Sequence, residues 1–163
     1  MLQRIWAAIV AFFLCLFPCL QKTPPLDNAA VANTVIAAVK AHDVAALEEL
    51  MCKNIKENVP DLSGEISNLL DAVEGELLEL SWSKMGGYQE SNGKGKTISQ
   101  NFLDIHIVTS TGPFILTITL ETYNNFSPEE MGARRITIAQ KTTPASAALY
   151  VLTATNGCMS WHD

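Results

Sequence analysis

The chain has 163 residues, 48% of them hydrophobic and 17% charged, with a formal net charge of −6. That length suits one compact domain with an N-terminal extension. Its only adjacent basic pair, Arg134-Arg135, falls short of the clustered cations that a phosphate backbone requires, so nucleic acid is excluded as a partner and the pair is read as a solvated patch.

The N-terminus is organised as an export signal. Arg4 and the free amine give a minimal positive region, and Ile5 to Phe17 is an unbroken apolar run. At about 13 residues it matches the core of a signal peptide and is short for a bilayer span. Pro18 stops any helix, and Pro24-Pro25 begins a stiff, exposed tether. Leu16 stands three residues before Cys19, as in bacterial lipoprotein signals, although Phe17 is bulky and Pro18 is a poor residue before a cleaved bond. No small-x-small pattern precedes residue 22, so ordinary cleavage also lacks a site. The reading is a lipoprotein signal over residues 1–19 with lipidation at Cys19, a tether over 20–26 and a single domain over 27–163. The alternatives are an uncleaved signal, or an ordinarily cleaved one that yields a secreted product.

Asp27 is a credible N-cap for a helix carrying Val31, Val35, Ile36 and Val39 at helical spacing. Asp43 is a second N-cap, and Leu47, Leu50 and Met51 continue an apolar face, so this region is one kinked helix or two in series. Pro60-Asp61 breaks the chain. Leu62, Ile66, Leu69, Leu70 and Val73 form the next apolar stripe, and Gly75 stands where a left-handed C-cap glycine belongs.

From Glu76 the hydrophobic period changes to two. Leu78, Leu80 and Trp82 alternate with Glu79 and Ser81, which predicts a half-exposed strand. Gly86-Gly87 and Asn92-Gly93-Lys94-Gly95 are turn chemistry. "TISQNFLDIHIV" is a second strand, Thr111-Gly112-Pro113 a turn, and "FILTITLETY" a third strand with Thr117, Thr119 and Glu121 opposite its apolar face. "NNFSPEEMG" is a loop, "ARRITIAQK" a fourth strand and "ALYVLTAT" a fifth. Helices followed by antiparallel strands predict an α+β fold, with the N-terminal helices packed on one face of a curved sheet.

"VIAAVKAHDVAALEELMC" resembles the opening helices of nuclear transport factor 2-like (cystatin-like) domains, in which an aspartate restarts the helix before an apolar pattern. "ALEELMCKNIKENVPDLSGEISNLLDAVEGEL", with the later "SPEEMGARRITI", resembles an uncharacterised domain family in lipoproteins of clostridia and related Firmicutes. The resemblance implies a cone-shaped α+β fold, a lipoprotein signal and a place on the outer face of a Gram-positive-type cell membrane. It implies no reaction.

Candidate chemistry is sparse. "GKGKT" at 93–97 has Glu90 where a phosphate-binding loop needs its first glycine, and it joins two strands, so it reads as a hairpin. Asp104 and His106 lie two apart in a strand and share a face, the arrangement of a carboxylate orienting an imidazole. The simplest packing points both to solvent. Glu74, Glu76 and Glu79 cluster at a helix-to-strand junction but lack a calcium-loop pattern. Ser63-Gly64 lacks the strand–turn–helix context of a nucleophile elbow. Glu129-Glu130 falls on an exposed loop. Trp82, Tyr88, Tyr150 and Trp161 are the candidates for ligand contact at an open cone mouth. Cys52 and Cys158 could pair in an oxidising compartment, or serve as small buried hydrophobes. No metal or cofactor signature is present. The functional expectation is a ligand- or protein-binding module. A small-molecule isomerase- or hydrolase-like enzyme using Asp104 and His106, and a structural homodimerisation domain, are the alternatives.

Overall fold

The structure, a computed structural model, describes residues 24–91, 94–141 and 147–153, the last as backbone alone. The predicted signal, Cys19 and most of the tether lie outside the described residues.

Among the described residues four helices come first: α1 (Asn28–Ala41), α2 (Val44–Leu50), α3 (Lys53–Asn58) and α4 (Leu62–Asp71). Five strands follow: β1 (Leu77–Ser91), β2 (Thr97–Thr109), β3 (Gly112–Asn124), β4 (Gly132–Gln140) and β5 (Ala147–Thr153), with a 3-10 turn at Pro128–Glu130. The strands form one antiparallel meander in chain order, β1-β2-β3-β4-β5. The class is α+β with an open, curved sheet.

The helix starts follow from capping. Asp27, Asp43 and Asp61 each lend a carboxylate oxygen to a backbone N–H of the first turn, on Ala29, Ala46 and Gly64 respectively. The Asp43 region resolves into two helices in series. Between them His42 takes a left-handed conformation (φ 51°), and its N–H closes α1 onto Ala38 and Val39. Gly75 is not a helix cap. Helix α4 ends earlier, at Asp71, with Ala72 in right-handed geometry, and Gly75 (φ 91°) shapes the link into β1. Helix α3 was not legible, because its six residues carry a single buried side chain, Ile55.

The core is the layer between the helices and one sheet face. Leu103, Ile105 and Ile107 of β2, Leu116, Ile118 and Leu120 of β3, and Ile136 and Ile138 of β4 meet Val35, Leu47, Ile55, Ile66 and Leu69. Period two in the strands and period 3.6 in the helices present these faces to each other.

Strand β1 departs from simple alternation. Its register with β2 slips between Leu77 and Glu79 and again between Lys84 and Gly86, leaving Leu78 and Met85 as extra residues. They are 63% and 65% exposed, so Leu78 is not the inward residue that alternation predicts. Leu80 and Trp82 do pack against the core. Gly86-Gly87 is not a turn but continues the strand, opposite Phe102 and Asn101. The link from β1 to β2 joins strand to strand, as read for "GKGKT", with Ser91 paired to Thr97.

Candidate functional site

The sheet face away from the helices carries the side chains singled out for chemistry. Because β2 turns Leu103, Ile105 and Ile107 into the core, Gln100, Phe102, Asp104 and His106 occupy the other face. Register sets their neighbours. Asp104 stands between Ser83 and Thr117, and Thr117 is opposite Thr137; Phe102 stands between Gly86 and Thr119, and Thr119 is opposite Arg135. The central rows are therefore hydroxyl-rich.

Asp104 is only 8% exposed and accepts a hydrogen bond from the Thr117 hydroxyl at 2.7 Å. It is thus not a solvated carboxylate of the kind expected from packing. His106 is half-buried, and its Nε2 lies 3.0 Å from Ser83 Oγ. Carboxylate and imidazole are engaged with different hydroxyl neighbours.

Of the ligand-contact candidates, Tyr88 is exposed on this face. Its hydroxyl donates to Gln100 Oε1 at 2.9 Å, and its ring lies tilted against Phe102 at 6.4 Å. Trp82 belongs to the rim of the core. Tyr150 falls in β5 opposite Ile138, with its side chain outside the description, and Trp161 lies outside the described residues.

The most elaborate polar arrangement is one the sequence did not suggest. Glu121 is fully buried, at 0% exposure, and not the outward residue of an alternating strand. Its Oε1 accepts from Asn124 Nδ2 at 2.7 Å, and its Oε2 accepts from Gln100 Nε2 at 3.4 Å and from Arg134 Nε. Two irregularities surround it. The β2–β3 register jumps from Ser99↔Tyr123 to Gln100↔Glu121, making Thr122 an extra residue. The β3–β4 register jumps from Thr119↔Arg135 to Leu120↔Ala133, making Arg134 another. Bulges re-aim side chains, and here one brings Arg134 to Glu121. The Arg134 side chain is 15% exposed, so it is not part of a solvated patch, whereas Arg135 is exposed. Burial works against the Arg134 charge, but the hydrogen bond to Glu121 and that carboxylate's field outweigh it and raise the guanidinium's pKa.

This cluster joins the hairpin to the helices. Glu130, within 3.9 Å of Arg134 Nη2, accepts the backbone N–H of Asn54 at 3.2 Å. It supplies a cap that Cys52, the N-cap residue of α3, does not. Glu130 is therefore half-buried and occupied, while Glu129 is exposed as the loop reading predicts. Gly132 (φ 138°) lets the two segments meet, since a Cβ there would lie 2.8 Å from Cys52 N and Leu50 O. Cys52 N in turn donates to Ala133 O at 3.1 Å. Burial raises the Cys52 thiol's pKa, against the lowering effects of a hydrogen bond from the Ile55 backbone and of the Arg134 charge. Cys158 lies outside the described residues, and Cys52 is buried as a small hydrophobe would be.

Glu74, Glu76 and Glu79 are all exposed, and among the described residues no group of three or more ligating side chains is placed to hold a metal ion. Ser63 donates to Glu48 Oε2 at 2.7 Å at the start of α4. Among the described residues no helix is long and apolar enough to cross a membrane.

Comparison with curated proteins finds no match. Residues 34–141 match the family described as "Domain of unknown function (DUF5104)". That span reaches from α1 to the end of β4 and contains Cys52, Asp104, His106, Glu121 and Arg134, so the chain belongs to the DUF5104 family.

Proposed function

We propose that this protein is an exported, lipid-anchored binding module of the cell envelope, built on a nuclear transport factor 2-like cone. It is held at the outer face of the membrane through Cys19 and binds with the sheet face away from its helices. The observation that carries the binding reading is the partition of polar groups on that face. Asp104 and His106 are spent on Thr117 and Ser83, which disfavours an acid–base pair. Around them Ser81, Tyr88 and Arg135 are exposed over rows of threonine. Short hydroxyls, one aromatic and one cation suit recognition of a polar partner more than bond cleavage. The cone reading is supported by the order of elements, helices first and then a long antiparallel meander. The anchor reading is supported by Leu16, Cys19 and the apolar run before them.

Two measurements test it. Cells producing the chain are fed an alkyne-tagged fatty acid and fractionated. Wild type is expected to be labelled and membrane-bound, and Cys19→Ala unlabelled; unlabelled wild type in the cytosol refutes the anchor. Amide hydrogen exchange of the mature protein is then compared with and without purified cell-wall sacculi. Slowing confined to residues around Tyr88, Thr117 and Arg135 supports the binding face. Unchanged exchange there refutes it for this probe class.

A further inference from the structure

We propose that the sheet face away from the helices binds a saccharide, with Asp104 accepting a sugar hydroxyl and Phe102 meeting the apolar side of a sugar ring. The proposal rests on the binding reading of that face and names the class of ligand it takes.

The first support is an unfilled acceptor at Asp104. The residue is 8% exposed, so water has little access to its carboxylate. A carboxylate offers about four lone-pair sites. Among the described residues Thr117 fills one of them, through Oδ1 at 2.7 Å, and Oδ2 receives no donor. Ser83, directly opposite Asp104, has its hydroxyl engaged with His106 Nε2 at 3.0 Å. A buried carboxylate oxygen without a donor is costly, and a hydroxyl brought by a ligand removes that cost through a charge-assisted bond.

The second support is a notch beside Phe102. This half-buried ring belongs to the same face as Asp104, two residues and about 7 Å along the strand. The bulge at Met85 sets Gly86 opposite Phe102. A Cβ at Gly86 would meet no atom within 4 Å, and the residue's φ is not left-handed, so neither crowding nor strain demands a glycine there. A strand glycine of this kind marks a place where another group can approach closely. The opposite neighbour, Thr119, is also short. Tyr88 closes the notch at the next position along β1, its ring tilted 39° to Phe102 with centres 6.4 Å apart. An aromatic ring bordered by short side chains suits the C–H side of a sugar, whose hydroxyls then reach the polar groups around it.

The third support is the kind of group that surrounds the pair. Thr117, Thr119 and Thr137 carry hydroxyls, which both donate and accept, as sugar hydroxyls do. Arg135 is exposed in the row of Phe102 and Thr119, two strands and about 10 Å from Phe102. Its charge disfavours a cation as the partner of Asp104. Glu121, the nearest carboxylate on β3, is already taken by Arg134, Asn124 and Gln100. A single acceptor among two-way hydroxyls matches a polyol better than a metal ion or a polyamine.

The test uses the full chain in detergent. The probes are glycan strands and stem peptides, separated from cell-wall sacculi by an amidase and fluorescently labelled. Anisotropy titration reads affinity, and amide exchange reads location. Glycan strands are expected to bind and to slow exchange around Phe102, Asp104 and Thr119, and stem peptides are not. Asp104→Asn keeps an acceptor for Thr117 but loses the charge, and should weaken binding on the order of tenfold. Gly86→Leu fills the notch and should weaken binding as much, with its urea midpoint close to that of wild type. Glycan binding that neither variant weakens overturns the proposal. Sacculi that slow exchange on this face while stem peptides alone bind overturn the saccharide and leave the binding face standing. Sacculi that leave exchange there unchanged overturn both.

Discussion

Replacing Arg134 with alanine is expected to cost far more than the loss of a surface cation. Glu121 is fully buried, and the substitution removes its charged partner among the described residues while leaving Asn124 and Gln100 as neutral donors. Breaking a buried ion pair from one side typically costs about 3–5 kcal/mol, because the remaining charge is stranded. The two surviving hydrogen bonds and the slight exposure of Arg134 place this case near the lower end, at about 3 kcal/mol. With a urea slope of about 2 kcal/mol/M, ordinary for a small domain, the unfolding midpoint falls by about 1.5 M. The double variant Glu121→Leu/Arg134→Met separates the worth of the pair from the cost of stranding one member. It should recover most of the loss, since a well-packed apolar replacement is often neutral or better. Urea unfolding followed by tryptophan fluorescence and by circular dichroism compares wild type, Arg134→Ala and the double variant. A midpoint shift below about 0.5 M for Arg134→Ala refutes the reasoning, because under about 1 kcal/mol is what a solvated pair is worth.

Three further expectations follow from the same region. Gly132→Ala must place a side chain at φ 138° and 2.8 Å from two backbone atoms, so a loss of at least about 2 kcal/mol is expected in urea unfolding; a near-neutral result contradicts the close approach. Glu130→Ala removes the acceptor of the Asn54 N–H and should cost about 1 kcal/mol, with faster amide exchange in α3 and unchanged exchange in α1. Cys52 has a folded-state thiol pKa raised above 9.0, so folding favours the neutral thiol. That contribution is complete below the unfolded pKa and is lost as pH rises through the folded one. The stability difference between wild type and Cys52→Ala should therefore narrow above about pH 9, and a constant difference up to about pH 11 counts against a buried thiol.

Much of the fold can be read from local chemistry. Asp27 and Asp43 cap helices because a short carboxylate meets the first free N–H groups, and only adjacent residues are needed. Leu103, Ile105 and Ile107 announce their face through period two alone. What escapes is whatever depends on a register slip. A bulge carries no reliable residue pattern, so Leu78 reads as core and Arg134 as surface, and the slip reverses both. Glu121 reads as outward for the same reason. Helix α3 escapes differently: its N-terminal acceptor, Glu130, lies 76 residues away in the chain. Asp104 and His106 were correctly placed on one strand face, but their hydroxyl partners come from β3 and β1, which only the pairing reveals.

The meander order has a consequence for how the molecule comes into being. Each strand pairs with the one synthesised just before it, so the sheet can grow by successive hairpins as the chain emerges. The helices cannot be completed in that way. Their apolar faces wait for Leu116, Ile118 and Ile136, and α3 waits for Glu130 and Ala133. Until β4 arrives, the apolar layer lacks the share that Ala133, Ile136 and Ile138 cover. Apolar surface exposed in that interval is prone to aggregate, so a stall between β3 and β4 prolongs the exposure.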